Sequence, residues 1–125
     1  MIRLLIAEAH AHLREQLKIL LDSSEWITVV GEADNGKKAV ELCLKLQPDV
    51  VLMDASIPVF DGFTATEMIH AQFPAIRVVI LSNGYLGEDT RAVQAGANAF
   101  LLQPKTSEQI IDTIRDVYEN NYSRF

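Results

Sequence analysis

The sequence predicts one α/β domain built on a doubly wound, all-parallel sheet, and three observations carry that prediction. Five short apolar runs alternate strictly with five longer helical patterns. The runs are apolar nearly throughout rather than at every second residue, which is how strands buried on both faces read. Residues that break or cap elements fall between them: Asn35-Gly36, Pro48, Pro58, Asp61-Gly62, Pro74 and Gly96.

Taken in order, residues 2–7 form the first strand, followed by a helix whose leucines at 13, 17, 20 and 21 share a face. Residues 27–30 are the second strand. After the Asn35-Gly36 turn, a helix places Ala39, Val40, Cys43 and Leu44 on one face and ends at Gln47-Pro48. Residues 50–53 are the third strand, and a helix over 63–72 stops before Pro74. Residues 78–81 are the fourth strand, and a weaker helix over 88–95 ends with Gly96 at its C′ position. Residues 99–102 are the fifth strand. The last helix carries Ile110, Ile111, Ile114, Val117 and Tyr118, with Ser107 as its N-cap. Right-handed crossovers then give a flavodoxin-like (βα)5 sheet with strand order 2-1-3-4-5.

At 125 residues the chain fits a single domain over 1–125 with a substantial core. Its net charge of −6 and pI of about 4.9 argue against direct nucleic-acid binding, which needs a basic face. The single cysteine, Cys43, has no partner for an internal disulfide and lies in a helical apolar pattern. The first residues lack the flanks of a signal peptide, and no apolar run reaches membrane-spanning length. The expected setting is the cytoplasm, without membrane contact.

All strands of a parallel sheet end on one edge, and ligands bind there at the switch between strands 1 and 3. Glu8 follows strand 1, Asp54 strand 3, Ser82 and Asn83 strand 4, and Gln103 strand 5. A carboxylate at the lip of the central strand suits two roles: nucleophile toward phosphorus or ligand of a hard cation. Glu8 and the main-chain carbonyl of Ser56 are candidate further oxygen ligands, and Mg²⁺ suits so sparse a set.

Six stretches in order carry a family likeness: Ile2-Arg3-Leu4-Leu5-Ile6-Ala7-Glu8, Gly31-Glu32-Ala33-Asp34-Asn35-Gly36, Pro48-Asp49-Val50-Val51-Leu52-Met53-Asp54, Pro58 with Asp61-Gly62, Val79-Ile80-Leu81-Ser82, and residues 95–102. Together they resemble receiver domains of two-component response regulators, in the style of those attached to DNA-binding transcriptional regulators. The resemblance implies a CheY-like fold, with Asp54 as phosphoacceptor for a histidine kinase or phosphotransfer protein. It also implies that Glu8 is the first of two acidic residues after strand 1. Ser82 would be the hydroxyl that bonds the phosphoryl oxygen, and Phe100 the aromatic that turns inward on activation. The face of helix 4, strand 5 and helix 5 would be the surface for homodimers and outputs.

Two positions depart from the family pattern. Ala9 stands where a second, metal-ligating acid is usual, and Gln103 where a lysine is usual. The losses are electrically complementary, one negative and one positive charge. They imply weak Mg²⁺ binding and slow phosphorylation, since phosphoryl transfer depends on neutralising charge on the equatorial oxygens. Gln103 still donates hydrogen bonds, though weaker ones than a cation's, and Lys105 is read as a surface residue. The alternative is a pseudo-receiver, a protein-interaction module independent of phosphate.

His10, near the pocket mouth, is a minor metal candidate, because Mg²⁺ prefers oxygen. His12 and His70 are placed on helix surfaces, Trp26 in packing, and Tyr118 and Tyr122 on the last helix near an interface. A haloacid-dehalogenase-type phosphohydrolase is disfavoured, because Ser56 stands where its acid–base aspartate is needed. A flavin carrier is disfavoured because Glu8-Ala9-His10-Ala11 is no phosphate cradle.

Overall fold

The computed structural model describes residues 1–103 and 105–120. Strands β1 (Ile2–Ala7), β2 (Ile27–Ala33), β3 (Val50–Asp54), β4 (Arg77–Ser82) and β5 (Ala99–Leu102) alternate with helices α1 (Ala11–Asp22), α2 (Gly36–Leu46), α3 (Gly62–Gln72), α4 (Glu88–Ala95) and α5 (Ser107–Asn120). All strand pairs are parallel, in the order β2-β1-β3-β4-β5 that the alternation predicts. β2 runs three residues beyond the predicted 27–30, and a register shift lets Leu4 pair with Val29 but Leu5 with Gly31.

The sheet is buried on both faces, which is why its strands lack alternation. Leu5, Ala7, Val51, Met53, Val78 and Ile80 pack with Ala39, Cys43, Phe63, Ile69 and Ala92 from α2, α3 and α4. Their neighbours in sequence, Leu4, Ile6, Val50, Leu52, Val79 and Leu81, point the other way onto Leu17, Leu21, Ile110, Ile114 and Val117 of α1 and α5. Burial pushes the Cys43 thiol up to about 12, so it serves as packing.

Two sequence expectations change, those for Leu44 and for the cap of α5. Leu44 is exposed, because the buried stripe of α2 runs through Ala39 and Cys43, with Leu42 and Val40 at its margins. Trp26, expected in packing, is half exposed and packs against the Arg115 guanidinium, 4.0 Å from its ring centroid. The cap of α5 is Thr106 rather than Ser107. Its hydroxyl accepts from the Gln109 N–H at 3.1 Å, while its own N–H donates to Gln109 Oε1 at 3.0 Å. This is a reciprocal capping box, legible as Thr106-Ser107-Glu108-Gln109. The rest fits the pattern: His12 and His70 are exposed, and Gly96 ends α4 at φ 89°. Tyr122 lies outside the described residues.

Gly62 seats α3 against the end of β3. A Cβ there would lie 2.4 Å from the Asp54 carbonyl oxygen and 2.7 Å from Ala55 Cα, both backbone atoms. Just before it, Val59 sits exposed at φ 72°, a left-handed conformation that costs a β-branched residue about 1–2 kcal/mol. Gly62→Ala is therefore expected to destabilise the fold by about 2 kcal/mol or more in denaturant unfolding. Val59→Asn is expected to stabilise it by about 1 kcal/mol, since asparagine tolerates the same backbone.

Candidate functional site

The carboxyl edge of the sheet gathers four polar side chains that are almost wholly withdrawn from water. Glu8, directly after β1, is 2% exposed; Asp54, the last residue of β3, 9%; Ser82, the last of β4, 1%; and Glu88, in the first turn of α4, 9%. Backbone bonds fix this edge: Glu8 N–H donates to Ala33 O, Ala55 N–H to Leu81 O, and Gln103 N–H to Ser82 O.

Among the described residues the Asp54 carboxylate receives one hydrogen bond, from the Ser56 N–H to Oδ1 at 3.2 Å. Burial raises its pKa above the ordinary aspartate value; the Ser56 bond works against this, the Glu8 charge adds to it, His10 opposes it and Glu88 adds to it. The Glu8 Oε2 atom accepts from the His10 N–H at 2.8 Å and lies 3.0 Å from His10 Nδ1. One ligand atom from each of Glu8, His10 and Asp54 falls within 4.8 Å of the others. The Arg14 guanidinium donates to the main-chain oxygen of Glu8 at 2.8 Å and pairs with Glu32 rather than with the Glu8 carboxylate. Among the described residues, no lysine or arginine forms an ion pair with Glu8, Asp54 or Glu88.

Ser82 has both hydroxyl functions in use. Its oxygen accepts from the Gly84 N–H at 2.9 Å, and its proton is donated to the Glu88 carboxylate. Glu88 is the residue sequence reading missed. The acid at the start of a helix reads as a favourable helix-dipole charge, and only the turn after β4 returns it to the pocket.

The other sequence candidates lie farther out. Gln103 borders a groove with Leu13, Leu17, Lys105 and Ile110 on the α1–α5 side. It makes no hydrogen bond to Asp54 among the described residues. Lys105 is exposed, and Ser56 is exposed beside Asp54. Phe100 is partly buried and borders a depression of about 240 Å³ shared with Tyr85, Leu86 and Leu102. Asp61 caps α3, its Oδ1 accepting from the Thr64 N–H at 2.8 Å, and pairs with Arg91 of α4 at 3.2 Å. Partial burial pushes its carboxyl up, but the Thr64 and Arg91 contacts outweigh this and hold it below the ordinary value.

The sequence pattern of the response regulator receiver domain matches residues 4–115. The chain belongs to that family. This receiver domain is 40% identical over 119 residues to the transcriptional regulatory protein YvfU of Bacillus subtilis, covering 92% of this chain and 58% of that protein. It is 33% identical to the response regulator protein VraR of Staphylococcus saprophyticus, covering 95% and 57%. The receiver thus spans a little over half the length of these curated relatives. Among solved structures, the signal receiver domain of NarL from Mycobacterium tuberculosis superposes with a TM-score of 0.90 at 31% identity, covering 94% of this chain and 96% of that one.

Because the folded pKa of Asp54 is raised, the folded state keeps its proton to higher pH than the unfolded state does. The cost of ionising it is absent below the ordinary carboxylate range and complete once pH rises past the folded pKa. In metal-free buffer, Asp54→Asn is expected to be more stable than the parent at pH 7 by about 1–2 kcal/mol. The gain should shrink steadily as pH falls through the carboxylate range, as measured by urea unfolding at several pH values.

Proposed function

We propose that Asp54 is the phosphoacceptor of this receiver and takes a phosphoryl group from a histidine kinase or phosphotransfer protein. The observation that carries this reading is the buried, sparsely hydrogen-bonded carboxylate at the end of the central strand, with a second carboxylate within 4.8 Å and the buried Ser82 hydroxyl at the end of the neighbouring strand. A carboxylate with so few hydrogen bonds keeps its lone pairs available for attack. One Asp54 oxygen forms the new O–P bond as the P–N bond of the donor phosphohistidine breaks. The imidazole leaves with the bonding electron pair and takes up a proton, and an acyl phosphate remains on Asp54.

Two buried carboxylates without a lysine or arginine partner call for a cation, and this pocket fits one. Glu8 and Asp54, with the main-chain carbonyl of Ser56, would hold Mg²⁺, which supplies positive charge against the phosphoryl oxygens when bound. Ala9 contributes no ligand, and His10 offers a nitrogen, which Mg²⁺ disfavours. Binding is therefore expected to be weak and phosphorylation slow. With Gln103 bordering the α1–α5 groove, charge on the phosphoryl group meets no lysine at that position.

The same departures favour a second reading, a pseudo-receiver that acts as a protein-interaction module without phosphate. In either case the receiver unit spans 1–125, and its docking surface is the α4–β5–α5 face, where Val93 and Leu102 are exposed. That face supports a homodimer or an output contact. The net charge of −6 supports protein partners in the cytoplasm over direct nucleic-acid or membrane binding. No helix among the described residues is long and apolar enough to cross a membrane.

Intact mass after incubation with acetyl phosphate and Mg²⁺ tests the proposal. The expected outcome is a slow gain of one phosphoryl group that is lost in Asp54→Ala and accelerated about tenfold or more in the double variant Ala9→Asp, Gln103→Lys. No gain in either the parent or the double variant would discard the phosphoacceptor and leave the pseudo-receiver.

A further inference from the structure

A serine hydroxyl has one proton to donate. In this receiver that proton is held by the Glu88 carboxylate, while the Gly84 N–H occupies the oxygen. Both partners are buried, so water does not weaken the bond, and a hydrogen bond to a charged acceptor is about twice as strong as a neutral one. The Glu88 carboxylate has no other hydrogen-bond or ion-pair partner among the described residues, while the Glu88 N–H donates to Tyr85 O at 3.2 Å. Its charge also bears on Asp54.

We infer that Glu88 is a positioning residue that competes with an incoming phosphoryl oxygen for the Ser82 proton, so that phosphorylation of Asp54 requires Glu88 to leave the pocket. This rests on the reading of Asp54 as phosphoacceptor. The carboxylate and the phosphoryl group are both anions seeking the same donor, and they repel each other in a pocket of low dielectric.

The local backbone is suited to such a withdrawal. Glu88 lies in the first turn of α4, whose N-cap Gly87 adopts φ 83° and has no side-chain cap. The preceding residues 83–87 are all exposed, with Leu86 wholly in solvent. The next turn is better held. Arg91 pairs with Asp61 at 3.2 Å and stacks over Phe63 at 4.2 Å, fixing α4 to α3. A swing of the first turn alone therefore moves Glu88 without undocking the helix. It would also reshape the depression that Phe100 shares with Tyr85 and Leu86, linking the pocket to the α4–β5–α5 face.

The test measures acetyl phosphate labelling rates of the full chain by intact mass, in the parent and in the Ala9→Asp, Gln103→Lys background that restores the family's pocket. Glu88→Ala is expected to raise the rate about tenfold or more, the effect of freeing one charge-assisted donor. Glu88→Gln keeps an acceptor for Ser82 but removes the charge, and should give a smaller rise. The distinguishing readout is the same pair of substitutions with Ser82→Ala. The gain from Glu88→Ala should largely vanish there, because there is no proton left to compete for. An undiminished gain without Ser82 would overturn the competition, as would unchanged rates in a restored background that labels at Asp54. If the restored background does not label, with or without Glu88→Ala, the phosphoacceptor reading fails and this inference falls with it.

Discussion

The burial of a carboxylate at the end of the central strand is the constraint on which the rest of the site depends. Asp54 reaches that place because β3 lies mid-sheet, between β1 and β4, with helices on both faces. Its backbone is held at the strand end, in register with Leu81 of β4 and with its carbonyl accepting from the Ile57 N–H at 3.3 Å. The cost is visible in its raised pKa, which burial causes first and neighbouring carboxylates reinforce. A group held at such cost is poised to be neutralised, whether by a proton, a cation or a covalent bond.

The surrounding loops carry consequences of that placement. Gly62 exists at the start of α3 because the backbone of Asp54 and Ala55 leaves no room for a Cβ. Val59 accepts an unfavourable conformation so that the chain can turn from the strand into that helix. Across the edge, Ser82 and Glu88 form a closed pair whose internal bond replaces contacts that a ligand would otherwise offer. Among the described residues the site is therefore rich in negative charge and poor in positive charge. Ala9 after β1 and Gln103 after β5 are both uncharged.

Much of this was legible in the chain, for a physical reason: parallel strands buried on both faces must be uniformly apolar, and the first polar residue after each must lie on the ligand edge. Strand order, the helix over 88–95 and the candidates Glu8, Asp54 and Ser82 all followed from that rule. Leu44 misled because a helical face is set by angle, and a leucine beside the stripe resembles one within it. Thr106 was passed over although its capping box was written in the sequence, because the adjacent Ser107 is an equally good cap by type. Glu88 could not be read at all. Its role depends on how a five-residue turn folds back, and a helix-starting acid ordinarily faces solvent. His10 was read at the pocket mouth, and the bend after β1 puts its Nδ1 3.0 Å from Glu8 Oε2.

The most direct measurement of the central claim is the titration of the Asp54 carboxyl by carbon-13 NMR, followed with and without Mg²⁺. The account predicts a midpoint above the ordinary aspartate range in the metal-free protein, moving downward when Mg²⁺ is added. A midpoint at or below the ordinary value, unmoved by Mg²⁺, would contradict it, because Asp54 would then be neither desolvated nor facing a cation site.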